Sequence, residues 1–204
     1  MHTVNPRTVV VELVGACLQL YFRVQVRVAA LCLGYPHVLA GFSVYERRLG
    51  PVYMLRFLGA SVGEEVHIDP GLTIQNATNG RCSNLTIGNH VFIGPRFFVE
   101  LALPVTLEDE CCISPGVSIV THSDSGNRPL KVRHPRQEGP VVVRRGSWLG
   151  LNVTVLFGTT IGPYAHVGAC SFVKHNVPPN TFCAGIPAQV LKTYNDDCSR
   201  HTKE

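Results

Sequence analysis

One stretch of this 204-residue chain concentrates groups that can move protons and hold polar ligands. Between Thr121 and Pro140 stand His122, Ser123, Asp124, Asn127, Arg128, Lys131, Arg133, His134, Arg136 and Glu138. An unperturbed imidazole titrates near ~6.5, so a histidine here can accept a proton as the neutral ring and return it as the imidazolium. A carboxylate beside such a ring would fix its orientation, and both Asp124 and Glu108 are candidates. Their spacing does not choose between them. A long polar run set between regular segments is where binding and catalytic groups usually sit.

The segments that must position this run are periodic. Val143, Leu149, Val155, Ile161, Val167 and Val173 are six residues apart, and Gly150, Gly162 and Gly168 directly follow three of them. Upstream, Val62, Ile68 and Ile74 form one such series, Ile87, Ile93, Val99 and Val105 a second, and Leu107, Ile113 and Ile119 a third. A helix would place apolar residues at three- and four-residue steps and a half-buried strand would alternate every two. An aliphatic residue every sixth position predicts a parallel β-helix whose flat faces each contribute one inward side chain. The period breaks twice, in the turn-rich run 75–86 and in the loop 121–140. His122 follows Ile119 by three residues, at the point where the coil opens.

Composition agrees with one turn-rich domain: hydrophobic residues make up 45%, with 19 Gly and 14 Pro. The formal charge of +4 comes from scattered cations, so no nucleic-acid groove is indicated. The eight cysteines form no Cys-x-x-Cys pair and have no zinc-type histidine spacing, which reads as reduced cysteines in a cytoplasmic protein with no metal expected. The predicted organisation is an N-terminal helical extension over 1–60, the β-helix over 61–194 and a frayed tail over 195–204. Residues 8–58 carry apolar runs broken by Arg23, Arg27, Arg47, Arg48 and Arg56. The span from Arg27 to Glu46 has 18 residues without a charged side chain, but Gly34, Pro36, His37 and Gly41 interrupt it. Two or three short helices covering the open end of the coil are expected. A second reading of the same segment is peripheral association with a membrane, since its arginines and Tyr21, Tyr35 and Tyr45 suit an interface. Glu12 interrupts the early apolar run, which argues against a signal peptide.

From Gly150-Leu-Asn-Val-Thr-Val-Leu-Phe-Gly-Thr-Thr-Ile-Gly, through Val167-Gly-Ala-Cys-Ser-Phe-Val and Val177-Pro-Pro-Asn, to Ala184-Gly-Ile-Pro-Ala, the chain resembles the hexapeptide-repeat acyltransferases. That family includes galactoside, maltose and serine acetyltransferases and enzymes that acetylate surface polysaccharides, and the resemblance covers about residues 60 to 194. It implies a mainly β protein: a left-handed parallel β-helix with three hexads to a coil, some five coils, and a short C-terminal helix. It also implies a homotrimer with sites shared between subunits and direct transfer of an acetyl group from acetyl-CoA to a saccharide or glycoside hydroxyl.

The resemblance distributes roles among residues. Val120-Thr-His matches the segment that carries the family's catalytic histidine, making His122 the general base. The cofactor would pass Trp148, Leu151 and Ala169, with its phosphates near Lys174, His175 and Lys192, where an Arg pair of galactoside-type enzymes is replaced by Gln189 and Lys192. Glu100, Asp124 and His134 are candidates on the acceptor side, although Glu100 one residue after Val99 also reads as an outward, solvated carboxylate. His67, His90 and His166 read as surface residues. The family's acceptor-binding Asn is Gly94 here, which puts the same acceptor in doubt. The alternatives are a serine-type or amino-sugar N-acetyltransferase, a γ-type carbonic anhydrase on the same coil, and a non-catalytic scaffold. The anhydrase would need a close histidine pair, whereas His122 and His134 are twelve residues apart across the loop.

Overall fold

The structure is a computed structural model that describes residues 6–40, 42 and 50–195, with side chains in the first helix placed from Ala16 onward. The expectations attached to Tyr45, Arg47, Arg48, Cys198 and the tail beyond Asn195 fall outside the described residues.

Short strands wind into five coils. The first holds β1 (Ser61–Val62), β2 (His67–Ile68) and β3 (Thr73–Gln75), and the second β4 (Leu85–Ile87), β5 (Phe92–Ile93) and β6 (Phe98–Glu100). The third holds β7 (Val105–Leu107), β8 (Cys112–Ile113) and β9 (Ser118–Ile119). The polar loop follows, pinned by an antiparallel pair, β10 (His122–Ser123) with β11 (Gln137–Glu138). Coiling resumes with β12 (Val141–Val143), β13 (Trp148–Leu149) and β14 (Thr154–Val155), then β15 (Thr160–Ile161), β16 (His166–Val167) and β17 (Phe172–Val173). The chain ends on β18 (Thr181–Gly185) and β19 (Ala188–Thr193).

Stacking gives three parallel faces. The first runs β1-β4-β7-β12-β15, the second β2-β5-β8-β13-β16-β18 and the third β3-β6-β9-β14-β17. The register keeps the hexad anchors in columns: Ile93 pairs with Ile113 and Val99 with Ile119. Because the chain turns after every strand, each coil satisfies its backbone through the coils above and below.

Beyond the first coil most hexads bury two side chains, not the single one expected. Val91 with Ile93, Phe97 with Val99, Val117 with Ile119 and Val153 with Val155 all point inward, the second position lying two residues before the anchor. A strand alternates faces, so residues i and i−2 share the interior. In the last coils that second position shrinks to Ser147 and Ser171, whose hydroxyls donate to Gly162 O and Gly168 O, each at 2.7 Å. A buried Val, Leu or Ile contributes roughly 1.5–3 kcal/mol, so the column is the main source of stability.

The glycines after the anchors have a steric cause. A Cβ on Gly150 would lie 2.8 Å from Ala169 N, and one on Gly162 would lie 2.5 Å from Pro179 N. Successive coils touch backbone to backbone at these corners, and only glycine fits.

Helices cover the first coil, although not as the short pieces expected. A single helix, α1, spans Pro6–Leu33, followed by α2 (Tyr35–Ala40) and α3 (Pro51–Phe57). Arg23 does not break α1, because its guanidinium sits over the Tyr53 ring at 4.8 Å. The break comes at Gly34, whose φ of +82 ends the helix. Val26, Val38, Met54, Leu55 and Leu58 are buried in the same core as the coil anchors, and Arg81, in the 75–86 excursion, stacks over Tyr35 at 4.4 Å. Among the described residues, the stretch long and apolar enough to cross a membrane is Ala16–Leu33 of α1, which begins earlier in the chain than the uncharged span the sequence pointed to.

The expected C-terminal helix is a strand. β19 pairs antiparallel with β18 across the turn at Gly185, whose φ is +109. An open sheet edge offers unpaired N–H and C=O groups, and residues 188–193 satisfy them by lying alongside.

Candidate functional site

The edge where the third face turns into the first carries three polar residues on successive coils. Asn76 follows β3, Glu100 ends β6, and His122 follows β9 where the coil opens. The Glu100 side chain is 5% exposed. Its Oε2 accepts hydrogen bonds from Thr121 N at 2.9 Å, Thr121 Oγ1 at 3.4 Å and His122 N at 3.2 Å. Its Oε1 accepts from Asn76 Nδ2 and stands against His122 Nδ1. Four hydrogen-bond donors and the facing His122 ring thus surround one buried carboxylate, which is how a buried charge is tolerated.

The expectation of an outward, solvated Glu100 is therefore corrected. After Val99 the strand ends, and the corner turns the next side chain beneath the third coil, where the backbone N–H groups left free by the loop's departure collect on it. Glu100 also fills the orienting role that sequence spacing left between Asp124 and Glu108. Glu108 is engaged elsewhere, 2.6 Å from Arg144 Nη1 and accepting from Arg145 N at 3.0 Å. Asp124 Oδ2 lies 4.0 Å from His122 Nε2 but is held by Arg136 Nη1 at 2.8 Å. A hydrogen bond from Gly126 N and the Arg136 guanidinium keep the Asp124 carboxyl below its ordinary range, so it is an anion at neutral pH.

A carboxylate against Nδ1 favours the tautomer with the proton on that nitrogen, which leaves the Nε2 lone pair available. The His122 side chain is 18% exposed, so the ring is held in the wall and opens to solvent on one side. The pair can take a proton from an incoming hydroxyl or amine and stabilise the imidazolium that results. Asn76 and Thr121 are the parts of this site that sequence reasoning missed. The visible signal was a polar residue two positions after the anchors Ile74 and Ile119, at the two places where the period breaks.

Beside this edge the loop forms an open depression of about 380 Å³ lined by Ser123, Asp124, Ser125, Arg133, His134 and Gln137 among others. His134 is exposed and belongs to this depression, not to the Glu100–His122 pair.

The predicted cofactor residues divide between two edges. Leu151 and Ala169 lie on adjacent coils at the corner between the second and third faces, where Cys170 N donates to Leu151 O at 2.7 Å. Trp148 is on the second face, 48% exposed, its Nε1 donating to Ser114 Oγ at 2.9 Å and its ring stacked on His166 at 4.2 Å. Lys174 and His175 instead follow β17 on the edge that bears His122, two coils further on and therefore about 10 Å away at the ~4.8 Å strand spacing. Lys192 sits on β19, its Nζ 4.7 Å from the Tyr194 ring centroid. His67 is paired with Asp69 and His90 with Glu65. Among the described residues no group of three or more His, Cys, Asp or Glu is placed to hold a metal ion.

Comparison with known proteins gives one family of matches. The model described as the hexapeptide repeat of succinyl-transferase matches residues 84–120. Galactoside O-acetyltransferase of Escherichia coli strain K12 is 26% identical over 143 residues, covering 70% of this chain and 68% of the relative. A putative lipopolysaccharide biosynthesis O-acetyl transferase of the same organism is 46% identical over 79 residues, 37% of this chain and 40% of the relative. Among solved structures, a hexapeptide-repeat acetyltransferase of Vibrio cholerae O1 biovar eltor complexed with acetyl coenzyme A matches at a TM-score of 0.66 and 26% identity, covering 82% of this chain and 92% of that one. The fold is the parallel β-helix expected from the hexads, with the left-handed coil that the resemblance implied.

Proposed function

We propose that this chain, which belongs to the hexapeptide-repeat acyltransferases, transfers an acetyl group from acetyl-CoA to a hydroxyl of a saccharide or glycoside. The observation that carries the reading is the buried Glu100 carboxylate against Nδ1 of His122. In the reaction, His122 Nε2 removes the proton of the acceptor hydroxyl as its oxygen attacks the thioester carbonyl. The tetrahedral intermediate collapses with cleavage of the C–S bond, and the imidazolium returns the proton to the departing thiolate. The products are the acetyl ester and free CoA, with no covalent enzyme intermediate. A backbone N–H at a coil corner serves the developing oxyanion.

The division of cofactor residues supports a site built by two subunits of a homotrimer. Leu151 and Ala169 lie at one edge of the prism, Trp148 on the face beside it and His122 at another edge, so in this reading a thioester lying along the first meets the imidazole of a neighbour. The polar repeat at the His122 edge supplies the base, and the neighbour's apolar corner supplies the groove for pantetheine.

We also place the protein on the cytoplasmic side of a membrane, where acetyl-CoA is available. Leu20, Tyr21, Val24, Val28 and Leu31 are exposed along one side of α1, while Val26 on the other side is buried in the core. A helix apolar on both sides needs a second apolar environment. No Asp or Glu occurs between Glu12 and Glu46, whereas Arg23 and Arg27 do, which suits an anionic bilayer surface.

The test is thiol release from acetyl-CoA with a panel of sugars and nucleotide sugars. Turnover that disappears in His122→Ala, with an unchanged circular dichroism spectrum, supports the reading. Full turnover in that variant removes it.

A further inference from the structure

We propose that the acceptor is an anionic saccharide, carrying a phosphate or a carboxylate, recognised by Arg128, Lys131 and Arg133 of the loop that leaves the coil at His122. The inference rests on the acetyltransferase reading above and specifies its substrate class.

The loop from Thr121 to Pro140 contains four Arg or Lys against two acids, an excess of +2 within a chain whose whole formal charge is +4. Its acids are both taken by one cation. Arg136 contacts Asp124 Oδ2 through Nη1 at 2.8 Å and Glu138 Oε2 through Nε at 2.5 Å. That arrangement staples the loop's two ends and leaves Arg128, Lys131 and Arg133 without an acidic partner among the described residues, all three exposed. Arg128 is instead directed back along the loop, its Nη1 donating to Ser125 O at 3.2 Å.

Of these cations Arg133 lines a concavity, which also holds the Arg136-paired Asp124, while Arg128 and Lys131 are exposed elsewhere on the same loop. Arg133, His134, Ser123, Ser125 and Gln137 line the depression beside the Glu100–His122 pair. The Ser125 hydroxyl in its wall is shielded from solvent and has no hydrogen-bond partner. A site for a neutral sugar is typically built on an aromatic platform with amide and carboxylate partners. No Phe, Tyr or Trp occurs between residues 121 and 140. Guanidinium and ammonium groups in their place match phosphate or carboxylate oxygens, and an Arg can hold either through two parallel hydrogen bonds. CoA is itself anionic, and the cations allotted to its phosphates, Lys174 and Lys192, follow the last coil, Lys174 on the His122 edge two coils beyond it, so the test must separate acceptor from cofactor.

The experiment compares galactose, galacturonate, galactose 1-phosphate and UDP-galactose as acceptors with the full-length protein, with thiol release as the readout. Galacturonate separates a carboxylate requirement from a phosphate requirement. We expect the best anionic acceptor to exceed galactose by about 10- to 100-fold in kcat/KM, with the advantage shrinking as salt is added. Arg133→Gln should reduce that ratio by raising the acceptor KM, and the KM for acetyl-CoA should not rise in step. Equal use of neutral and charged acceptors overturns the proposal, as does an Arg133→Gln defect confined to the acetyl-CoA KM, which would assign the loop cations to the cofactor. Absence of thiol release with every acceptor, in the wild type as in His122→Ala, would defeat the acetyltransferase reading instead.

Discussion

The Glu100 carboxylate and Nδ1 of His122 meet across two successive coils, although 22 residues separate them along the chain. One coil supplies the acid and the next supplies the base, and the strand stacking that makes the core also fixes their separation. The pair is thus as rigid as the column of Val99 and Ile119 beneath it.

Removal of the imidazole should be costly in rate and cheap in stability. His122→Ala is expected to lower kcat by about 10²- to 10⁴-fold while the melting temperature changes little, because the ring lies in the wall of the site and not in the core. Steady-state thiol release and thermal melting measured on one preparation decide this.

Glu100 should separate into two effects. Glu100→Gln keeps the shape and an acceptor oxygen but removes the charge that supports the imidazolium, so kcat should fall by at least about 10-fold with little change in either KM. Glu100→Ala strands Asn76, Thr121 N and His122 N and should cost about 3–5 kcal/mol of stability in urea unfolding. An alanine variant as stable as wild type would show that the carboxylate is not held as described.

Coil corners should reject a single methyl group. Gly150→Ala places a carbon 2.8 Å from Ala169 N, closer than real contacts allow. We expect a loss of about 1–3 kcal/mol by denaturant unfolding.

The cysteines should differ sharply in reactivity. Burial pushes the Cys82 and Cys111 thiols up to about 12, while Cys170 is exposed at a corner. Alkylation at mildly alkaline pH, read by peptide mass spectrometry, should mark Cys170 and spare the buried pair. The same shift sets a sign for stability. Above the ordinary thiol range the unfolded chain loses these protons while the folded chain keeps them up to about 12, so stability should decline as pH rises through that interval.

Vesicle flotation tests α1. The full-length protein should float with vesicles containing phosphatidylglycerol, and replacing Leu20 and Leu31 with Glu should leave it in the soluble fraction. Equal partition of both proteins would remove the bilayer from the account.

The sequence by itself determined the coil. A six-residue period of aliphatic anchors has one low-energy solution, and glycine after an anchor reports the close approach of the next turn, so the five coils and the opening at Thr121 were legible in one dimension. His122 was legible too, because it stands where the period stops. Only the tertiary structure decided what surrounds it. Whether Glu100 faces water or the interior depends on how a corner is stacked against the coil that follows, and that contact joins residues with no sequence relation. The same is true of the C-terminal segment, which became a strand because β18 left an edge to pair. It is true of α1, which runs through Arg23 because the fold accommodates that guanidinium over Tyr53. Periodicity records what each turn repeats; the partners of a side chain at the seam are set by which turn lies next to it.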